Sequence, residues 1–283
     1  MSTSIAYEAV PSRGPTDMGT KTLLAFLGLT FGLSWVPMAL FMLFADQFTA
    51  LFGEMSSTNP FFLLAVYAPG ISGVFLVWRH YGLKGLGSFF RRLFLWRAPV
   101  RWWLFLLLGI PAIIYAAAAI KGTISDPFPF SPWYLVFPAL VQSLLLGPIG
   151  EEFGWRGLAL PLLQRRFAPF WASLILGVVW AFWHAPAFLM SGTPQSAWSF
   201  GPFFIGLIAI TVIMTPLFNA SRGSLLIAIL YHLNIMNPIF PDAQPWDSFL
   251  LAIAAAVIVF LSRRQMFGRG SGVTEVVGSE DKN

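Results

Sequence analysis

Residues 147–186 read GPIGEEFGWRGLALPLLQRRFAPFWASLILGVVWAFWHAP, and the placing of their charges decides the fold. Two adjacent carboxylates, Glu151 and Glu152, and Arg156 stand at the end of a long apolar run. A second apolar run follows and carries His184 inside it. The chain has only twelve acidic residues. Glu8, Asp17, Glu275, Glu280 and Asp281 lie in the terminal stretches; Asp46, Glu54, Asp126, Asp242 and Asp247 lie in short connections between apolar runs. Glu151 and Glu152 are therefore the only acids attached to the hydrophobic body. A charge at bilayer depth costs at least ~2.5–3.5 kcal/mol, so an intramembrane carboxylate marks a functional site by default.

The composition agrees. Hydrophobic residues make up 57% of the chain and charged ones 10%, with a mean hydropathy of +0.73. A soluble domain is nearer 45–50% apolar and about 25% charged. The expected class is an all-α integral membrane protein. There is no cysteine, which removes disulfides and thiolate metal sites. The net charge of +5 comes from basic residues clustered beside apolar runs, so anionic membrane lipids are the expected partners and nucleic acid is not.

Eight spans are expected, near residues 22–45, 60–78, 100–120, 131–161, 168–190, 200–219, 224–240 and 246–262, each close to the ~20 residues a bilayer needs. They form one domain over 21–265, with disordered cytoplasmic tails at 1–20 and 266–283. The first tail is polar and carries no cleavable signal pattern. The fourth segment exceeds the required length, so its end is expected to tilt or project into the interface. Connections one, three, five and seven carry Asp46, Glu54, Asp126, Asp242 and Asp247 with Lys121 as their one basic residue. Connections two, four and six and the C-terminal flank carry Arg79, Lys84, Arg91, Arg92, Arg97, Arg101, Arg165, Arg166, Arg222, Arg263, Arg264 and Arg269. The positive-inside rule then puts both termini in the cytoplasm, as an even number of spans requires. Connection two, RHYGLKGLGSFFRRLFLWRAPVRWW (79–103), interleaves aromatic and basic residues and reads as an amphipathic helix in the cytoplasmic headgroup layer.

Adjacent helical residues point about 100° apart, so Glu151 and Glu152 have different tasks. Glu152 and Arg156 are spaced i, i+4 and suit a salt bridge. Glu151 is left without a local partner, a position that suits a general base. His184 lies about 22 Å along the fifth span and His232 about 12 Å into the seventh, at depths close to Glu151; His80 reads as surface. Two imidazoles and a carboxylate match the His₂Glu set of a catalytic zinc with one open position. They equally serve a metal-free hydrolase, with Glu151 taking a proton from water and an imidazole donating to the oxyanion. Spacing leaves both chemistries open.

Three motifs together carry a resemblance. EEFGWR (151–156) fits EExxxR; WAFWHAP (180–186) has an aromatic residue four before a histidine, with Trp180 where phenylalanine is frequent; RGSLLIAILYHLNIMN (222–237) leads through a small polar turn to His232. In this order and spacing the chain resembles the CAAX-protease and bacteriocin-processing family (CPBP, or ABI), membrane-embedded proteases related to the Ras-converting CAAX endopeptidase. The resemblance covers roughly residues 80–240, with the motif core at 131–240. It implies an eight-helix fold whose active site lies in the membrane, open toward the cytoplasm. It implies that Glu151 and His184 activate water, that His232 stabilises the oxyanion, and that Glu152 and Arg156 support that geometry. The family's HxxxN places Met236 where asparagine is usual. Asn234 and Asn237 fall about 200° and 140° around an ideal helix from His232, and a broken turn before Pro238 would swing Asn237 back toward the site.

The expected activity is intramembrane hydrolysis of a peptide bond in a membrane-anchored or lipophilic, CAAX-like peptide, by a multi-pass protein of a bacterial inner membrane. The alternatives are a non-proteolytic scaffold or immunity-type member of the same family, and a small proton-coupled transporter, which the lack of a recognisable repeat disfavours.

Overall fold

The computed structural model describes residues 18–277. Residues 1–17 and 278–283, where most of the first expected tail and the end of the second fall, lie outside the described residues. Among the described residues all regular structure is helical. The α-helices are α1 (Thr20–Leu43), α2 (Ala45–Phe52), α3 (Pro60–Arg91), α4 (Val100–Leu104), α5 (Ile110–Lys121), α6 (Val136–Leu145), α7 (Pro148–Gly154), α8 (Leu160–Gln164), α9 (Pro169–Trp183), α10 (Phe200–Ala220), α11 (Leu225–Ile235), α12 (Trp246–Leu261) and α13 (Arg263–Phe267). Five-residue π-helical segments, Phe105–Gly109 and Trp155–Ala159, join α4 to α5 and α7 to α8.

Six helical runs are long and apolar enough to cross a membrane: Thr20–Leu43, Pro60–Phe94, Val100–Lys121, Trp133–Gln164, Pro169–Leu189 and Phe200–Ala220. The last two expected spans are shorter helices, of 11 and 16 residues. The chain is thus a multi-pass membrane protein. α11 rises only about 16 Å at 1.5 Å per residue, because Asn237–Pro238 ends its helical register and Ser224 caps its start, accepting from the Ile227 amide at 3.0 Å. Leu107, Leu108, Ile253, Val257 and Phe260 are among the large apolar side chains left exposed, a surface that water would not tolerate at this extent and lipid requires. The centre belongs to α10, buried from Ala209 to Phe218 and packed between α9 and α12.

The fourth expected span does not simply overshoot. It breaks at Gly147, where φ −157° and ψ −80° leave the helical region, and restarts at Pro148. Proline suits a helix start because its missing N–H would be unpaired there. The restarted helix is pressed onto α3. A Cβ on Gly150 would meet the Val66 carbonyl at 2.8 Å, one on Gly154 the Pro69 carbonyl at 2.3 Å, and one on Gly70 the Gly150 carbonyl at 2.6 Å. Small residues four apart let two helices approach backbone to backbone, which supplies dispersion where lipid removes the hydrophobic drive. GEEFG (150–154) is such a pair with the two glutamates inside it, so the packing fixes where their side chains leave the helix.

The basic connection departs from a plain interfacial helix. α3 runs through it to Arg91, kinked at Gly82 (φ 62°, ψ −162°). Phe89 is fully buried and Arg92 nearly so. The Arg92 guanidinium donates to the carbonyls of Gly223 (2.8 Å), Gly157 (2.8 Å), Val276 (3.2 Å) and Arg156 (3.4 Å). Its five fixed donors clamp the turn before α11, the π-helical segment and the C-terminal stretch together. Residues 266–277, expected as part of a loose tail, lie against the body. Gln164 donates to the Val273 carbonyl (2.9 Å), Arg165 to that of Thr274 (2.8 Å), and Asn219 accepts from the Val273 amide (3.0 Å). Val276 and Val277 are buried, and their burial holds a stretch that composition alone reads as tail.

Candidate functional site

α9 ends at Trp183 and the chain goes on as a 3₁₀ turn, Ala185–Leu189, because Pro186 carries no amide hydrogen to continue the α-helical ladder. His184 lies inside the apolar run Pro169–Leu189, as expected, and caps the C-terminus of α9. Helix ends leave carbonyls unpaired. The His184 amide turns to the Ala181 carbonyl (3.2 Å), and its side chain takes the vacated one: Nδ1 donates to the Trp180 carbonyl at 2.8 Å. A carbonyl only accepts, so the proton is on Nδ1 and Nε2 is left for other chemistry. Helix α1 pins this end, with Trp183 Nε1 donating to Ser34 Oγ (2.8 Å) and Trp35 Nε1 to the Trp183 carbonyl (3.0 Å).

Glu152 holds the centre of the site. Its Oε1 accepts from Arg156 Nη1 at 3.0 Å, the i, i+4 pair expected, and neither side chain is solvent-accessible. The same oxygen accepts from His232 Nδ1 at 2.8 Å. Sequence spacing did not reveal this second bond, since Glu152 and His232 are eighty residues apart and α11 docks on α7 only in the folded chain. Arg156 also reaches Thr211 Oγ1 (3.3 Å) and lies 4.3 Å from the Trp180 ring centre. Glu152 Oε2 has no hydrogen-bond partner.

Glu151 is not without a partner. Trp180 Nε1 donates to its Oε2 at 2.6 Å. Neither the aromatic motif position nor the helical-face argument indicated that bond; the sole signal was an N–H-bearing ring where phenylalanine is frequent.

Glu151, Trp180, His184, His232, Met236 and Asn237 share the wall of one cavity of about 370 Å³, the rest of which is largely apolar. Glu152 and Arg156 lie behind it, buried. Asn234 turns away and donates to the Leu106 carbonyl. Asn237 follows the end of α11, and its Oδ1 accepts from the Ile239 amide (3.2 Å) in the turn through Pro238. That bond leaves the amide nitrogen as the group able to donate into the cavity. Met236 puts its thioether at the same wall, where a Cβ on Gly147 would come within 2.6 Å of the sulfur.

The wall includes Gln195, Asp242, Gln244 and Asp247 from connections five and seven, and no residue of the arginine-rich connections. Among the described residues, the connections that add polar members to the cavity wall are thus the acidic ones. Asp247, grouped with the connections, and Ser248, inside the eighth expected span, both line the cavity from the first turn of α12, where the helix dipole favours an acid.

A zinc centre was one expectation. Both imidazoles have Nδ1 engaged and Nε2 spare, as metal ligands do. Among the described residues, however, no three His, Cys, Asp or Glu side chains are grouped so as to hold one metal ion. The set as placed does not fit zinc, and the chemistry below is derived without it.

The family model for Type II CAAX prenyl endopeptidase Rce1-like proteins matches residues 131–236, which contain Glu151, Glu152, Arg156, His184 and His232 and stop one residue before Asn237. A curated relative, CAAX prenyl protease 2 of Methanococcus maripaludis, is 28% identical over 249 residues, spanning 78% of this chain and 90% of that protein. The motifs lie inside one matched segment and the relative aligns over most of both chains, so the chain is similar to the CAAX-protease (CPBP) family of membrane proteins.

Proposed function

We propose that this chain is an intramembrane endopeptidase that cleaves a membrane-associated or lipophilic peptide of the CAAX kind for which its relative is named. The observation that carries the reading is that Glu151, His184 and His232 face one apolar-walled cavity while both imidazoles are oriented through Nδ1. Glu151 takes a proton from water that His184 Nε2 holds by accepting its other hydrogen. The water oxygen bonds to the scissile carbonyl carbon. The oxyanion is met by His232, whose Nδ1–H is fixed on the Glu152 carboxylate so that Nε2–H points outward when the ring is protonated. Asn237 supplies a second donor through its amide nitrogen. Collapse breaks the C–N bond, and Glu151 passes its proton to the leaving amine. The apolar wall, with Met38, Phe62, Leu207 and Leu251 among its members, suits a lipid chain or apolar residues beside the scissile bond.

In the same reading all eight apolar helical segments cross, and the arginine-rich flank and both termini are cytoplasmic. The substrate then reaches Glu151 from the face carrying Asp242 and Asp247, or laterally from lipid. The test is cleavage of a fluorogenic prenylated CAAX peptide by purified protein in detergent. Glu151→Gln and His184→Ala should each abolish turnover in a protein that still inserts and elutes as wild type. Cleavage retained by either variant defeats the mechanism; no cleavage by the wild type of any prenylated or unmodified lipophilic peptide defeats the proteolytic reading.

A further inference from the structure

Resting on that reading, we infer that Trp180 is the positioning residue that sets both water-activating groups at once. Its contacts reach four charged or titratable side chains of the site: Glu151, His184, Arg156 and His232. Nε1–H donates to Glu151 Oε2 at 2.6 Å. Its carbonyl takes the Nδ1–H of His184 at 2.8 Å. Its ring face lies over the Arg156 guanidinium, 4.3 Å from the centroid. Its ring stands edge-on to His232, with centroids 5.3 Å apart and planes at 83°.

The consequences are chemical. A carboxylate with one oxygen held by an N–H keeps a single orientation and offers its other oxygen to water. A charge-assisted bond of this kind is about twice as strong as a neutral one. An imidazole tied to a backbone carbonyl keeps one tautomer, so its Nε2 lone pair is always the group on offer. The indole face attracts the Arg156 cation, and the ring lies between that cation and the cavity, so Arg156 stays with Glu152. Phenylalanine at this position would keep an aromatic face and the carbonyl but lacks the N–H and the fused second ring of the indole. The tryptophan therefore adds one hydrogen bond to the site, on the oxygen of the residue proposed as base.

Trp180→Phe removes that interaction, and the thermal midpoint separates its loss from that of packing. Loss of one charge-assisted bond to the base should lower kcat about 10- to 100-fold, leave KM within about twofold, displace the pH dependence of kcat, and leave the thermal midpoint near wild type. A second arm needs no turnover: difference infrared spectroscopy, with the Glu151 carboxyl band assigned by its loss in Glu151→Gln, should show that band shifted in Trp180→Phe. Wild-type kcat and pH profile in Trp180→Phe, or an unmoved carboxyl band, overturns the inference. A fall in kcat that merely follows a lowered thermal midpoint also overturns it, since that is the mark of packing alone. Should the wild type cleave nothing, the proteolytic reading fails by itself, and the infrared arm still decides the indole–carboxylate contact.

Discussion

Glu152→Ala separates two carboxylates that the sequence writes side by side. In the folded chain Glu152 Oε1 receives Arg156 Nη1 at 3.0 Å and His232 Nδ1 at 2.8 Å, with Glu152 and Arg156 fully enclosed. Removing one partner of a buried ion pair costs about 3–5 kcal/mol, because the other charge is stranded where water cannot reach it. At 1.36 kcal/mol per decade that is roughly two to nearly four powers of ten in the folding equilibrium. Arg156 keeps only the Thr211 hydroxyl and the Trp180 ring, neither of which neutralises it. Glu151→Ala removes a single indole bond and strands no cation, so its effect on stability should be far smaller while its effect on turnover is total. Denaturant titration in detergent micelles, followed by tryptophan fluorescence, compares the two directly. Glu152→Gln combined with Arg156→Met removes both charges, keeps an acceptor oxygen for His232, and should be more stable than either single variant. Equal stability of Glu152→Ala and Glu151→Ala, or a double variant worse than both singles, would refute the claim that Glu152 organises the site.

Gly154→Ala puts a Cβ 2.3 Å from the Pro69 carbonyl, whereas one on Gly28 meets nothing within 4 Å; the first should lower the thermal midpoint and turnover together, and Gly28→Ala should be silent. The chain's lack of cysteine makes single-cysteine labelling clean. Ser125→Cys and Gln265→Cys should react with a membrane-impermeant maleimide from opposite sides, Ser125→Cys from outside intact cells; the reverse pattern would put the basic flank outside. With no metal-binding group of three ligands among the described residues, turnover should survive prolonged 1,10-phenanthroline treatment. Loss that zinc restores would refute that reading of the site.

How far the sequence reached depended on the range of the interaction. The membrane class, the approximate positions of the apolar segments and the Glu152–Arg156 pair all rest on composition or on residues within one helical turn, where connectivity alone settles who meets whom. The motif residues were legible as chemistry, since acids and imidazoles are rare in this chain and stand out inside apolar runs. Length arguments were weaker. They found the one overlong run but not the break at Gly147–Pro148 within it, and took 266–277 for tail, because that break and an irregular stretch anchored by Arg92, Gln164 and Asn219 depend on partners far away in the chain.

Only the tertiary structure decided the rest. It joined His232 to Glu152 across eighty residues, put the Trp180 indole on Glu151, and gathered Glu151, His184 and His232 onto one cavity wall. Each of these follows from how α7, α9 and α11 dock. Helix docking is governed by where small residues allow close approach, as at Gly70, Gly150 and Gly154, and a hydropathy pattern carries no record of which two faces will meet.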